Sequence, residues 1–216
     1  LEILPNASCE SIEGLSDSRK RMMQMFYITL FQKAADWSSV ETKNNLRLLT
    51  DSPVMMQELK ELLELNLERI DFIDMPVNLG FDCPLDLHCT YTRDQILIAM
   101  DYMTPNNVRE GVKWLPDKQV DVLFITLNKS DKDYSPTTMY NDYSINERLF
   151  HWQSQSTTSD TSGPGQRYIN HQKNGSKIAL FVREFKQDRI GAAPYTYLGT
   201  AAYDTHTGSK PMNITW

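Results

Sequence analysis

The sequence predicts an α+β protein in which a helical first third is followed by a mostly antiparallel β domain with one or two helices packed on it. Apolar residues recur every three or four positions up to about residue 70, which is the spacing of one helix face. Beyond Trp114 they gather into short runs separated by Gly, Pro and Asn, which is typical of strands joined by turns. The chain has 216 residues, 40% of them hydrophobic, and is long enough for one large domain or two small ones.

Three helices are predicted, over residues 18–37, 53–70 and 93–102. The second begins with a proline in its first turn, and the third follows a capping box made by Thr92 and Gln95. Residues 73–76 end the helical part, so we expect two domains, 1–76 and 77–216. The Met-rich helices leave open a surface for a protein partner, although packing in a core is the commoner use of such residues.

Strands are predicted over six runs, at residues 120–127, 147–154, 166–171, 177–185, 195–203 and 211–216. The first is apolar on both faces, as a central strand would be. Asn174 and Gly175 predict a hairpin turn between two of the others. Short strands at this spacing predict a small, partly closed antiparallel barrel.

The run LFHWQSQSTT at residues 149–158 is the first candidate for a binding site, because aromatic side chains pass directly into amides and hydroxyls. A pocket that stacks a flat group and hydrogen-bonds its edge would use both kinds of side chain. Trp152 as an ordinary core residue explains the run equally well. Alternation along a strand places Trp152 on the opposite face from Gln153 and Gln155.

Four motifs in fixed order carry a resemblance to a known family: SPTTMYNDY at 135–143, LFHWQSQSTT at 149–158, GQRYINH at 165–171 and LFVRE at 180–184. Together they resemble the C-terminal region of helicase-like proteins of the SauUSI type. Those proteins are modification-dependent (type IV) restriction endonucleases. The resemblance extends over residues 10–216.

The resemblance implies that residues 77–216 are an SRA- or PUA-like domain that reads 5-methylcytosine in double-stranded DNA. It implies that residues 1–76 couple this domain to an ATPase motor and a phospholipase-D-like nuclease of the same parent chain. ATP and Mg²⁺ would act in those parts, and no cofactor or catalysis is expected here. The sequence leaves open whether 5-hydroxymethylcytosine is also accepted.

A reader that flips the base out of the helix needs aromatic side chains around the base and an acceptor for the cytosine amine. Tyr140, Asp142 and Tyr143 supply two aromatics and one carboxylate. The predicted base pocket therefore consists of Tyr140, Asp142, Tyr143, Trp152, Gln153 and Gln155. A simpler role for Asp142 is a turn residue that bonds its own backbone.

The net charge of −6 argues at first sight against a nucleic-acid partner. Positive charge is concentrated around the motifs, however, since residues 147–190 contain 7 basic and 4 acidic residues. Within this stretch we expect the DNA backbone to be contacted by Arg167, Lys173, Lys177 and Lys186.

A metal-dependent nuclease is the main enzymatic alternative. Glu184 and Lys186 form an acidic-x-Lys triplet at a predicted strand end, and Asp142 or Asp160 could supply a second carboxylate for Mg²⁺. Such triplets are common by coincidence, and strand ends often carry charge.

The three cysteines are Cys9, Cys83 and Cys89, and they suit a reducing cytoplasm better than a disulfide framework. Cys83, His88 and Cys89 do not complete a four-ligand zinc site, so no metal is expected. No apolar run is long enough to span a membrane. The chain starts at Leu1 rather than at Met, and we expect a fragment of a longer cytoplasmic protein.

Overall fold

The computed structural model describes residue 12 and residues 14–70, 74–129 and 141–216. The α-helices are α1 (Asp17–Phe31), α2 (Val40–Thr50), α3 (Pro53–Glu68), α4 (Arg93–Ala99) and α5 (Gly163–Asn170). The strands are β1 (Thr90–Tyr91), β2 (Val112–Leu115), β3 (Val120–Thr126), β4 (Tyr143–Ser144), β5 (Phe150–Gln153), β6 (Lys177–Arg183), β7 (Tyr195–Ala201), β8 (Thr205–Thr207) and β9 (Asn213–Thr215). The predicted α+β class is confirmed.

A five-stranded sheet with the order β1-β7-β6-β3-β2 forms the centre of the fold. Two of its three inner strands, β3 and β6, run parallel, with Val120 opposite Lys177 and Thr126 opposite Arg183. The other pairs are antiparallel. Because β3 and β6 are parallel, their carboxyl ends meet at the same edge of the sheet, and loops leaving that edge can share a site.

A second sheet, with the order β4-β5-β9-β8, is antiparallel throughout. It packs on one face of the central sheet, and α5 closes the same layer; Trp152, Tyr168 and Trp216 are buried there with Leu123 and Leu180. The described strands form two open sheets and no closed barrel, so the predicted small, partly closed antiparallel barrel is not found. The parallel pair β3–β6 needs a long crossover, which contains α5 and part of the second sheet, and the central sheet stays open.

The opposite face of the central sheet is covered by α4, whose Ile96, Leu97 and Ala99 are fully buried. The predicted capping box starts this helix: the Thr92 side chain accepts the N–H of Gln95, and the Gln95 side chain accepts the N–H of Thr92. The fold is therefore three layers deep, with α4, the central sheet, and the second sheet together with α5.

The first helix packs directly on α4 rather than standing apart from the β domain. Arg21 of α1 forms two hydrogen bonds of 2.8 Å to the carboxylate of Asp101, just after α4, and also donates to the carbonyl of Asp82. Gln95 of α4 donates to the hydroxyl of Thr29 at 2.9 Å. The division at residue 76 stays a prediction, and α1 makes these contacts across it.

By contrast, α3 has no buried residue and leaves apolar side chains such as Val54, Leu62 and Leu67 exposed. It begins with a proline after the cap Ser52, as the sequence predicts. Within the described ranges, no helix has both the length and the apolar character that a bilayer crossing requires.

The strand predicted over 166–171 is wrong, because these residues lie in or directly after α5. Ser162 caps this helix by accepting the N–H of Gly165, and Pro164 occupies its first turn. The turn at Asn174 and Gly175 therefore joins a helix to β6 instead of closing a hairpin. Helix α2, capped by Ser39, has no counterpart among the predicted helices.

Candidate ligand-binding cleft

A cleft of about 840 Å³ opens where β3 and β6 end and α4 begins. Thr126 and Arg183 line it from the carboxyl ends of these strands, and Arg93 lines it from the start of α4. Trp152 and Gln153 bring the end of β5 to the same space. Carboxyl ends of neighbouring parallel strands are a frequent position for ligand sites in α/β sheets.

Four of the six predicted base-pocket residues line this cleft: Asp142, Trp152, Gln153 and Gln155. Tyr143 is on the exposed edge strand β4 and stacks on His151, with ring centres 4.6 Å apart, so it does not line the cleft. Tyr140 lies outside the described residues. The two distant halves of the predicted pocket, around residues 142 and 153, do come together.

Asp142 is a buried carboxylate held in place by two partners. The ammonium of Lys129, itself buried, lies 2.6 Å from its Oδ2. The backbone N–H of Gln153 donates to its Oδ1 at 2.9 Å. Asp142 thus bonds the neighbouring strand β5 rather than a turn of its own backbone. A carboxylate has about four acceptor positions, and these two described partners occupy two of them.

The two glutamines differ in how much of their amide the protein already uses. The Gln153 side chain accepts the N–H of Asn141 at 3.3 Å and donates to Asn213 at 3.1 Å. Gln155 is half-buried at the rim and its side-chain amide donates to Glu110 at 3.0 Å, whereas its side-chain oxygen Oε1 makes no hydrogen bond within the described residues. Gln155 is therefore better placed than Gln153 to bond a ligand.

Trp152 is a core residue that also forms part of the cleft wall. Only 4% of it is exposed, and its ring meets Tyr168 edge-on at 5.4 Å and Trp216 at 6.1 Å. The predicted alternation is confirmed, since Trp152 is buried while Gln153 is only half-buried. Because of this packing, we expect removal of the ring to destabilise the fold.

Arg93 is a cleft residue that the sequence analysis did not single out. Its guanidinium lies 4.7 Å from the centre of the Phe124 ring, and its Nη1 donates to the carbonyl of Val108 at 3.0 Å. Its Nη2 is 3.4 Å from the hydroxyl of Tyr195. Its position inside the capping box, between Thr92 and Gln95, gave no sign that this side chain lines a cleft.

Arg183 ends β6 within the LFVRE motif and is likewise fixed. Its Nε donates to the hydroxyl of Thr126 at 3.0 Å and its Nη1 to the carbonyl of Ala193 at 3.1 Å. The guanidinium lies 4.4 Å from the centre of the Tyr195 ring. The LFVRE motif identifies this segment as part of the family resemblance, but the alternation of residues along the strand did not predict that Arg183 lines the cleft.

The four cations predicted to follow the DNA backbone do not lie along one path. Arg167 forms two hydrogen bonds of 2.7 and 2.8 Å to Asp121, which is completely buried near the start of β3, and lies over the Trp114 ring. Lys173 and Lys177 are exposed before or at the amino end of β6. Lys186 alone of the four lines the cleft, beyond the opposite end of β6.

A metal site for nuclease chemistry finds no support in the geometry. Glu184 is exposed and is not among the residues that line the cleft. Asp160 bonds Ser209 elsewhere on the surface. The described part of the chain contains no group of three or more His, Cys, Asp or Glu residues arranged to hold a metal ion.

The cysteines near residue 88 behave as ordinary thiols. Cys83 is buried, and burial raises its pKa to about 12, so it is protonated at neutral pH. Cys89 is half-buried, and burial also raises the pKa of its thiol. Neither forms a disulfide within the described ranges.

Comparison with known protein families gives one match. The family model described as "Domain of unknown function (DUF3427)" matches residues 85–215, a range that contains the central sheet, the second sheet, α4 and α5. No curated protein matches the chain. The matched range includes nearly the whole lining of the cleft, apart from two residues of α1 and the residue that follows it.

Proposed function

The chain belongs to the DUF3427 family, and we propose that it binds double-stranded DNA containing 5-methylcytosine, with the modified base turned out of the helix into the cleft. In this proposal it is the target-recognition part of an ATP-dependent type IV restriction endonuclease. Its partners are the methylated DNA and the ATPase and nuclease domains of the same parent chain. The resemblance of the four sequence motifs supports this assignment.

One observation carries the proposal: Asp142, Trp152, Gln153 and Gln155 line a single cleft although Asp142 belongs to a different motif from the other three. The volume of about 840 Å³ is within the range of small-ligand sites and is sufficient for a nucleotide. The resemblance also implies an SRA- or PUA-like fold, which the α+β architecture supports only at the level of fold class.

The chemistry of the cleft suits cytosine. Its exocyclic amine is a donor, and the carboxylate of Asp142 is an acceptor held at the cleft wall by Lys129. Gln155 offers an amide from the rim. Arg93, Arg109, Lys129, Arg183 and Lys186 outnumber Asp94, Glu110 and Asp142 in the lining, which favours a polyanionic ligand in spite of the negative net charge.

The direct test is a binding assay with duplexes of identical sequence that differ in one methylated cytosine, with and without Mg²⁺. We expect tighter binding to the methylated duplex and no cutting. Equal binding to both duplexes would contradict the reader function, and Mg²⁺-dependent cutting would favour a nuclease.

Two variants test whether the modified base is recognised in the cleft. Gln155→Ala removes a rim amide and should reduce the methyl preference about tenfold, whereas Gln172→Ala, on an exposed position outside the cleft, should leave it unchanged. Asp142→Asn removes the charge that strengthens the bond to the cytosine amine and should lose most of the preference. If Gln155→Ala and Asp142→Asn both discriminate like the parent chain, the base does not enter this cleft.

A second candidate function is docking to the ATPase motor. The observation that favours it is α3, which has no buried residue and exposes Val54, Leu62 and Leu67 on an otherwise acidic helix. Failure of the chain to bind either duplex would favour this role over DNA recognition.

A further inference from the structure

Two arginines from distant parts of the chain converge on one tyrosine at the cleft. Arg93 reaches the hydroxyl of Tyr195, and Arg183 lies over its ring. Both guanidinium groups are half-buried, and neither forms an ion pair with a carboxylate in the described part of the chain. Two partly desolvated positive charges near each other are unfavourable without a compensating anion.

The nearby carboxylates compensate this positive charge only in part, because five cations line the cleft and three carboxylates do. Asp142 is paired with Lys129, and Glu110 accepts from Gln155. Asp94 follows Arg93 in the chain and lines the same cleft; burial raises its pKa, the charge of Arg93 opposes this, and it makes no ion pair within 4 Å of a described residue. The cleft lining therefore keeps an excess of positive charge, and both arginines contribute to it.

The arginines are also held in orientations that suit an oxyanion. Backbone carbonyls and the Thr126 hydroxyl use part of each guanidinium, and the aromatic rings beneath them fix its plane. The Nη2 of Arg183 makes no hydrogen bond within the described residues. A planar guanidinium with unused donors matches the oxygen pairs of a phosphate group, and its preorganisation lowers the entropy lost on binding.

We propose that Arg93 and Arg183 bind a phosphate group in the cleft, and that this group is the phosphodiester next to the base read by Asp142 and Gln155. The phosphate site follows from the arginine geometry alone; only the choice of DNA as its source rests on the proposed function. The same chemistry would accept free phosphate or a mononucleotide, so the test has to separate these sources.

The first experiment measures the phosphate site without DNA. Thermal unfolding of the 216-residue chain is recorded in phosphate and in chloride at equal ionic strength. At a tenfold excess of phosphate over its dissociation constant, the melting temperature should rise by about 3 °C or more. Arg183→Gln and Arg93→Gln should lose this rise, whereas Arg148→Gln, at an exposed arginine outside the cleft, should keep it.

Arg183→Lys is a second variant for the case in which Arg183→Gln does not fold. It keeps the charge and the apolar stem but lacks the planar fork, so it should fold and lose at least half of the rise. Absence of a phosphate effect on the parent chain, or an equal effect on all variants, would overturn the site.

The second experiment identifies the source of the phosphate. In a methylated duplex, the phosphates on either side of the modified cytosine are replaced one at a time by neutral methylphosphonates. One replacement should weaken binding to the parent chain about tenfold and should have no further effect on Arg183→Gln.

The outcomes separate the two proposals. Stabilisation by phosphate without any methyl preference would refute the reader function and keep the phosphate site. A methyl preference with the same methylphosphonate effect in Arg183→Gln and the parent chain would refute the role of these arginines in DNA binding. Stabilisation by phosphate with no methylphosphonate effect would assign the site to free phosphate or a nucleotide rather than to DNA.

Discussion

Arg167 provides the sharpest prediction about the fold, because its sequence motif and its contacts point to different roles. The motif suggests a DNA-backbone contact, whereas the structure places its guanidinium in two hydrogen bonds to Asp121. Asp121 is completely buried, and burial raises its pKa despite the adjacent arginine. Replacing Arg167 by Ala would leave this carboxylate buried without its partner.

The expected cost follows from the burial of the pair. Breaking a buried ion pair by removing one partner destabilises a protein by about 3–5 kcal/mol. The Arg167 side chain is 23% exposed, so solvent can replace part of the interaction, and we expect about 3 kcal/mol, including the loss of its contact with Trp114. With a urea m value of about 2 kcal/mol/M, the unfolding midpoint should fall by about 1.5 M.

Urea unfolding followed by circular dichroism measures this change. Lys173→Ala, at an exposed position close in sequence, is the control and should stay within about 0.5 kcal/mol of the parent chain. Adding Asp121→Asn to Arg167→Ala should recover about 1 kcal/mol or more, because it removes the unpaired charge. An Arg167→Ala chain with unchanged stability and a lower salt dependence of DNA binding would refute the structural role and restore the DNA contact.

Three further predictions concern the core, a buried histidine and the charge around the cleft. Trp152→Ala should destabilise the chain by about 3–5 kcal/mol, measured by urea unfolding, because the ring is buried against Tyr168 and Trp216; a stable variant would place the ring outside the core. Burial lowers the pKa of His171, whose Nε2 accepts the N–H of Tyr203, so the unfolded chain binds a proton more readily. The stability of the folded chain should therefore fall as the pH drops below about 6.5. In His171→Gln the urea unfolding midpoint should change less between pH 7.5 and 5.5 than in the parent chain, and an equal change in both would contradict this. Lys186→Ala should lower the slope of log DNA affinity against log salt by about one unit, whereas Lys173→Ala should not, since only Lys186 of these two lines the cleft. The reverse result would indicate that DNA binds at the other end of the central sheet.

The features that could be predicted from the sequence depend on neighbouring residues. The capping box of Thr92 and Gln95 and the proline that begins α3 are local signals, and both helices start where expected. The apolar run at 120–127 predicts a central strand, and β3 is an inner strand of the five-stranded sheet, between β6 and β2. The run at 149–158 also points to Trp152, Gln153 and Gln155 as site residues, but alternation predicts opposite strand faces for Trp152 and the glutamines, so their common position at the cleft was not predicted.

The features that were missed depend on residues far apart in the chain. The parallel pairing of β3 and β6 joins segments separated by about fifty residues, and no local pattern distinguishes it from an antiparallel pair. The hydrogen bonds between Arg167 and Asp121 also join residues far apart in the chain, so the sequence alone suggested that Arg167 is a surface cation. The seven residues 165–171 are too few for their periodicity to separate a helix from a strand, and the cap at Ser162 decided in favour of α5.

The entry of the modified base into the cleft is the central claim, and a labelled methyl group tests it most directly. A duplex with one ¹³C-methyl 5-methylcytosine is titrated with the 216-residue chain and followed by NMR. We expect the methyl resonance to shift on binding and to give nuclear Overhauser contacts to cleft residues such as Gln153, Gln155 and Tyr195. A methyl resonance that is unchanged by a saturating amount of the chain, or that contacts only residues outside the cleft, would contradict the proposed recognition.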